Sequence, residues 1–216
     1  MLSQYLSLNL QQQLSEISEH GFSIMDNFIS PANILALADE INTLNANSHM
    51  QIANTGRSPI SINTQLRGDS IYWLNEVEAS PAQQAYFKKM EDLRCGLNQH
   101  LYLGLFSLES HLALYPIGTG YQKHLDCFQF KCGEQLPKRQ ISCILYLNQD
   151  WLAEDGGYLR LHLNAHERAR LNLKESYLDI APISGRLVLF LSDTFYHEVL
   201  ATTRIRKSLT SWFLTR

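Results

Sequence analysis

His124, Asp126 and His197 are residues of the types, and in the order, that hold a ferrous ion. One residue separates His124 from Asp126, seventy separate Asp126 from His197, and Arg206 stands nine positions beyond that second histidine. Two imidazoles and a carboxylate can fill one face of an Fe(II) octahedron and leave the opposite face for a co-substrate and dioxygen. On a strand, ligands at i and i+2 point to one side, so a single short segment would give two of the three bonds and a distant strand the third. An arginine near such a metal can grip a carboxylate bidentately. The triplet alone is weakly specific, since His-X-Asp recurs by chance and the chain has eight histidines. The carboxylate of Asp126 argues for hydroxylation, because Gly or Ala there would leave room for a halide.

The elements that must position these residues follow from periodicity. Leu10, Leu14 and Ile17 mark a short helix ending at Gly21, and Phe22 to Met25 reads as a strand. Ser30-Pro31 and Ser80-Pro81 each supply an N-cap and first-turn proline. Behind them run apolar stripes: Ile34, Leu37, Ala38, Ile41 and Leu44, then Tyr86, Met90, Leu93, Leu97 and Leu101. Residues 45 to 65 are rich in Asn, Ser, Thr and Gly and read as a long surface loop. From Ser107 the pattern changes to short β-type runs: Leu112 to Tyr115, Ile141 to Leu147, Tyr158 to Leu163, Arg186 to Leu191 and Ile205 to Phe213. Helices first and short strands later favour a mainly antiparallel sandwich with flanking helices over a parallel α/β fold. On the last strand Arg204, Arg206, Ser208, Thr210 and Trp212 share one face, so an inward Arg206 brings Thr210 and Trp212 with it.

A chain of 216 residues fits one domain, with a helical support over 1–105 and a β core carrying the metal site over 106–216. Its net charge of −3 points away from a nucleic-acid partner. Residues 1 to 56 contain no Lys or Arg and no apolar run reaches spanning length, which together predict a cytoplasmic protein with no membrane partner. Cys95, Cys127, Cys132 and Cys143 show no paired pattern and are expected to be reduced; Cys127 and Cys132 lack the second pair a zinc site would need.

The wider sequence around the triad carries a resemblance. Tyr115-Pro-Ile-Gly-Thr-Gly-Tyr121-Gln-Lys-His124-Leu-Asp126 is followed by Arg139-Gln-Ile-Ser-Cys-Ile-Leu-Tyr146-Leu-Asn148 and Gly156-Gly157-Tyr-Leu159-Arg160. Gly185-Arg186-Leu-Val-Leu-Phe190, His197-Glu-Val199, Arg206 and Trp212-Phe213 come later, and Arg67-Gly68-Asp69-Ser-Ile-Tyr-Trp73 earlier. Over about residues 65 to 214 the chain resembles the 2-oxoglutarate-dependent prolyl hydroxylases, in the branch that hydroxylates hypoxia-inducible factor and its bacterial relatives. The resemblance implies a double-stranded β-helix, or jelly roll, with Fe(II), 2-oxoglutarate and dioxygen as cofactor and co-substrates and ascorbate as reductant. It implies His124, Asp126 and His197 as metal ligands. It selects Arg206 over Arg204 as the co-substrate anchor, six residues before Trp212, and adds Tyr115, Ile144, Tyr146, Leu159, Thr210 and Trp212 as its pocket.

For the substrate, the resemblance implies a protein with a loop proline, met by Asp69, Trp73 and Arg139. Arg67-Gly68-Asp69 matches a mobile loop that closes over the peptide, and Asp69 is expected to pair with Arg139 across the entrance. Bacterial relatives make elongation factor Tu the specific substrate suggested. His111 stands where the family has an apolar residue and is expected to be a satisfied structural histidine rather than a fourth ligand. Two other readings stay open: the same chemistry on a free amino acid or other small molecule, and a non-catalytic jelly-roll module that binds a partner.

Overall fold

The computed structural model describes residues 8–54, 63, 65–127 and 137–216. Cys132, most of the 127–138 segment and part of the expected 45–65 loop lie outside the described residues. Three helices lead the chain: α1 (Leu8–His20), α2 (Pro31–Ala46) and α3 (Pro81–Leu101). Serine caps start the last two as the sequence predicts, the Ser30 and Ser80 side chains accepting from the Asn33 and Gln83 amides. Glu40 of α2 ties the pair together by accepting from Ser80 and Gln83 at the start of α3.

Among the described residues eleven strands form two antiparallel sheets. The larger runs β1 (Phe22–Met25), β9 (Leu187–Leu191), β6 (Lys138–Tyr146), β11 (Arg206–Thr215), β4 (Ser107–Tyr115), β3 (Ser70–Trp73), β2 (Gln51–Ile52). The smaller runs β5 (Tyr121–His124), β10 (His197–Val199), β7 (Leu159–His162), β8 (Tyr177–Ile180). Together they make the double-stranded β-helix, mainly β with flanking helices, that the sequence implies. Three strands precede residue 106 and extend the large sheet at both edges, with β1 on β9 and β3 on β4. Strand β2 occupies part of what reads as a featureless loop, and α4 (Ala165–Leu171) is a short helix the apolar pattern does not announce.

Alternation along the central strands divides the core. Leu112, Leu114, Cys143, Leu145, Leu209 and Phe213 face back onto the helices, packing with Leu37, Ile41, Met90 and Leu97. Each such side chain fully buried contributes about 1.5–3 kcal/mol. Tyr86 of α3 shares a 2.8 Å hydrogen bond with Ser211, fixing that helix to the outer face of β11. The opposite parity faces the smaller sheet, where Ile144, Tyr146, Val188 and Phe190 pack on Leu159, Leu161 and Ile180. One end of this inter-sheet space stays open, and the chemistry-bearing residues gather there.

Candidate metal and co-substrate site

His124 ends β5 and His197 begins β10, and the two are direct cross-strand partners. Their ring centroids lie 4.2 Å apart. Asp126 lies past the end of β5, so same-face parity within one strand does not place it; a hydrogen bond does. Ser142 on β6 donates to Asp126 Oδ2 at 2.7 Å and is itself held by Ser192 at 2.8 Å. The remaining geometry converges. His124 Nε2 is 3.6 Å from Asp126 Oδ1, and His197 Nε2 is 3.5 Å from Asp126 Oδ2. One ligand atom from each residue lies within 4.8 Å of the others. Each imidazole turns Nδ1 to a backbone carbonyl, Gln122 O at 2.7 Å and Phe195 O at 3.1 Å. With Nδ1 protonated, as those acceptors require, Nε2 offers its lone pair inward.

The electrostatics suit a cation. Burial pushes His197 down to about 4, against the pull of Asp126, so this imidazole is neutral near pH 7. Burial alone would raise the Asp126 carboxyl, but His197, His124 and Arg139 hold it well below the usual carboxylate range. An N, N, O donor set of this kind fits Fe(II). Tyr121 stacks on His124 with centroids 3.6 Å apart, and the Arg67 guanidinium sits 4.8 Å over the other ring.

From the triad a cavity of about 280 Å³ runs inward to Arg206, near the lower end of small-ligand pockets, roughly 300–1,000 Å³. Arg206 is 1% exposed. Its Nε donates to the Gly157 carbonyl at 2.9 Å, and its guanidinium lies 5.0 Å from the rings of both Tyr115 and Tyr146. Gly157 has φ +62°, and a Cβ there would press on the Arg206 side chain. Arg206 Nη2 and the Tyr146 hydroxyl are buried without hydrogen-bond partners. Burial pushes the Tyr146 and Tyr115 hydroxyls up, so both keep their protons. A buried cation and a buried hydroxyl, each with unused donors, form a socket for a carboxylate.

The expected pocket residues divide. Tyr115, Ile144, Thr210 and Trp212 line the cavity with Arg206, as do Trp73 and Arg139. Tyr146 touches it through Arg206, while Leu159 is fully buried in the inter-sheet core and is absent from the cavity wall. Arg204 points outward to Asp155. The expected Asp69–Arg139 pair is not formed. Asp69, 1% exposed, takes two hydrogen bonds from Arg67, at 2.7 and 2.9 Å. Arg139 instead bonds Glu109 at 2.5 Å and stacks 3.5 Å over Trp212. The Arg67 segment is joined to β5: Gly68 N donates to Gly120 O at 3.0 Å and Gln122 N to Leu66 O at 2.8 Å. His111 is buried on the cavity wall, but its Nδ1 has no partner, so it is not the satisfied histidine expected.

Sequence reasoning missed Ser142 and Tyr121. Ser142 shares the parity of Ile144 and Tyr146, a signal that was present; Tyr121 had none beyond its nearness to His124. Cys95 and Cys143 are free thiols. Among the described residues no helix is long and apolar enough to cross a membrane.

A jelly roll with this site defines the 2OG-Fe(II) oxygenase superfamily, whose sequence model matches residues 110–214. A Pseudomonas putida prolyl-4-hydroxylase structure superposes with a TM-score of 0.81 at 34% identity, covering 95% of this chain and 98% of that one. A prolyl hydroxylase from Trichoplax adhaerens, solved with a hypoxia-inducible factor peptide fragment, gives 0.77 at 23% identity, covering 95% of this chain and 88% of that one. Human Egl nine homolog 1 is 27% identical across 96% of this chain, and mouse prolyl hydroxylase EGLN3 is 28% identical across 91%. The chain spans 47% of the former and 80% of the latter, so about half the length of the first of these relatives. The chain therefore belongs to the prolyl hydroxylase family of 2OG-Fe(II) oxygenases, enzymes whose chemistry uses Fe(II), 2-oxoglutarate and dioxygen.

Proposed function

We propose that this protein hydroxylates a prolyl residue in a protein substrate, converting 2-oxoglutarate to succinate and CO2. The observation that carries the reading is a single cavity with the His124, Asp126 and His197 ligand atoms at one end and the unpaired donors of Arg206 and Tyr146 at the other. His124, Asp126 and His197 would hold the metal, and Ser142 keeps the carboxylate turned toward both imidazoles. Arg206, with Tyr146 and Tyr115, would receive the far carboxylate of the co-substrate and fix its direction. Ile144 forms an apolar wall between, limiting water near the reacting atoms. When bound, Fe(II) and 2-oxoglutarate supply the oxidising power that inserts one oxygen atom of O2 into a substrate C–H bond, the other going to succinate. No side chain is needed as a general base.

A protein substrate is favoured by the similarity to prolyl hydroxylases across nearly the whole chain, and by the half-exposed Trp73 beside Trp212 and Arg139 at the cavity mouth. These three, with Asp69 acting through Arg67, would meet the peptide. Elongation factor Tu is the particular target we propose. The chain acts as one domain, and ascorbate serves it as a reductant. The test is incubation of iron-loaded protein with 2-oxoglutarate and cell lysate, or purified elongation factor Tu, followed by mass spectrometry for proline gaining one oxygen. The signal should vanish in His124→Ala. Succinate formed with a free amino acid and not with protein would favour a small-molecule hydroxylase instead.

A further inference from the structure

Two buried nitrogens in the cavity are not accounted for by the grip on the far carboxylate. His111 on β4 is 2% exposed and Trp212 on β11 is 4% exposed; both line the cavity, and their ring centroids are 5.2 Å apart. Neither His111 Nδ1 nor Trp212 Nε1 has a hydrogen-bond partner. A buried polar group left unpaired costs about 1–3 kcal/mol, and two on one wall mark a place where a ligand oxygen is expected.

Strand register says which oxygen. The Arg206 guanidinium lies against Tyr146, whose row across the sheet is Tyr146, Ser208, Ala113. The next inward-facing row is Ile144, Thr210, His111. Two residues along a strand advance about 7 Å. A five-carbon diacid built from C–C bonds of about 1.5 Å spans roughly 5–7 Å between its ends. A dicarboxylate seated on Arg206 therefore reaches the His111 row with its other end. His111 packs against Trp73, with the two rings nearly perpendicular and their centroids 4.9 Å apart, and against Trp212 at 5.2 Å, contacts that leave it 2% exposed. Burial and the nearby charges of Arg67 and Arg139 keep the imidazole neutral, against the pull of Asp126, so it can donate one N–H into the cavity.

We propose that His111 donates a hydrogen bond to the carboxylate at the oxo-acid end of 2-oxoglutarate, with Trp212 Nε1 as a second donor. The proposal rests on the co-substrate reading above. In it, His111 is a co-substrate-binding residue that discriminates 2-oxo acids from simpler acids sharing only the far carboxylate.

The test measures binding to the Mn(II)-loaded protein by calorimetry, with two ligands: 2-oxoglutarate, and 4-oxobutanoate, which keeps the far carboxylate and lacks the other. His111→Met should weaken 2-oxoglutarate roughly ten- to hundredfold, the range for a hydrogen bond to a charged group, and leave 4-oxobutanoate unchanged. His111→Asn, which retains an N–H donor, should recover part of the loss. Equal weakening of both ligands, or an unchanged 2-oxoglutarate Kd, overturns the proposal. So does an unchanged Kd with a raised peptide KM, which would assign His111 to the substrate. Wild-type protein that binds no 2-oxoglutarate sinks the co-substrate reading as well; tight wild-type binding that ignores His111→Met sinks this inference alone.

Discussion

Replacing Arg206 with Met separates a ligand socket from a structural cation. A buried ion costs several kcal/mol in effective desolvation. Against this, Arg206 has one hydrogen bond to the Gly157 carbonyl and two aromatic faces at 5.0 Å. Those offsets are worth about 1.5–3 kcal/mol for a charge-assisted hydrogen bond and about 1 kcal/mol for each cation–π contact. Cost and gain nearly cancel, so Arg206→Met should leave ligand-free stability within about 1–2 kcal/mol of wild type, although the side chain is 1% exposed. In a chain of this size that is a Tm change of only about 2–8 °C. Binding should behave differently. Losing the buried partner of a carboxylate costs about 2–5 kcal/mol, a factor of roughly 30 to 5,000 in Kd. Thermal melts of the Mn(II) protein with and without 2-oxoglutarate read both quantities at once. At a ligand concentration about ten times the wild-type Kd, wild type should gain several degrees and the variant almost none. A variant destabilised by ~3–5 kcal/mol without ligand, or one still raised by 2-oxoglutarate, would refute the reasoning, since either result means Arg206 is satisfied within the protein.

Ser142→Ala should weaken metal binding about tenfold with little change in fold, because it frees the Asp126 carboxylate without removing it; a Co(II) titration followed by its visible spectrum is the check. Arg67→Met leaves the Asp69 carboxylate buried and unpaired and should cost about 3–5 kcal/mol in urea unfolding, far more than an exposed pair would. Glu109→Gln, which removes one partner of Arg139 at the rim, should cost less than about 1 kcal/mol by the same measurement. His111 stays neutral in the fold while the unfolded chain takes up a proton below about pH 6.5, so its contribution is full above that pH and falls as pH drops through it. Wild type should therefore lose up to about 1.4 kcal/mol more per pH unit than His111→Met below about pH 6.5, and parallel pH–stability curves would contradict the assignment.

The long central strands and capped helices were legible because each carries its own period: Ser80-Pro81 and the Tyr86, Met90, Leu93, Leu97 stripe define α3 without outside help. The inward face of β11 was legible for the same reason, and Arg206, Ser208, Thr210 and Trp212 all reach the cavity. Short strands were not. Strands β5 and β10 span only four and three residues, too few for alternation to register, and they are defined by pairing with each other. Ion-pair partners were equally opaque, since Asp69 had Arg67 two residues away and Arg139 had Glu109 across the sheet. Sequence supplies charges, and only the folded register decides which of them meet. His111 was misjudged because an isolated imidazole in a strand says nothing about whether its nitrogens find acceptors.

The backbone stitching of residues 66–68 onto β5 has a mechanical consequence. The strand that ends in His124 is flanked by β10 on one side and by this segment on the other, and Arg67, anchored by buried Asp69, presses on the ring that stacks against that histidine. That edge and the histidine strand are thus one piece of fabric. Tension on the 66–69 edge is therefore felt at His124, and by reciprocity whatever stiffens His124 stiffens that edge.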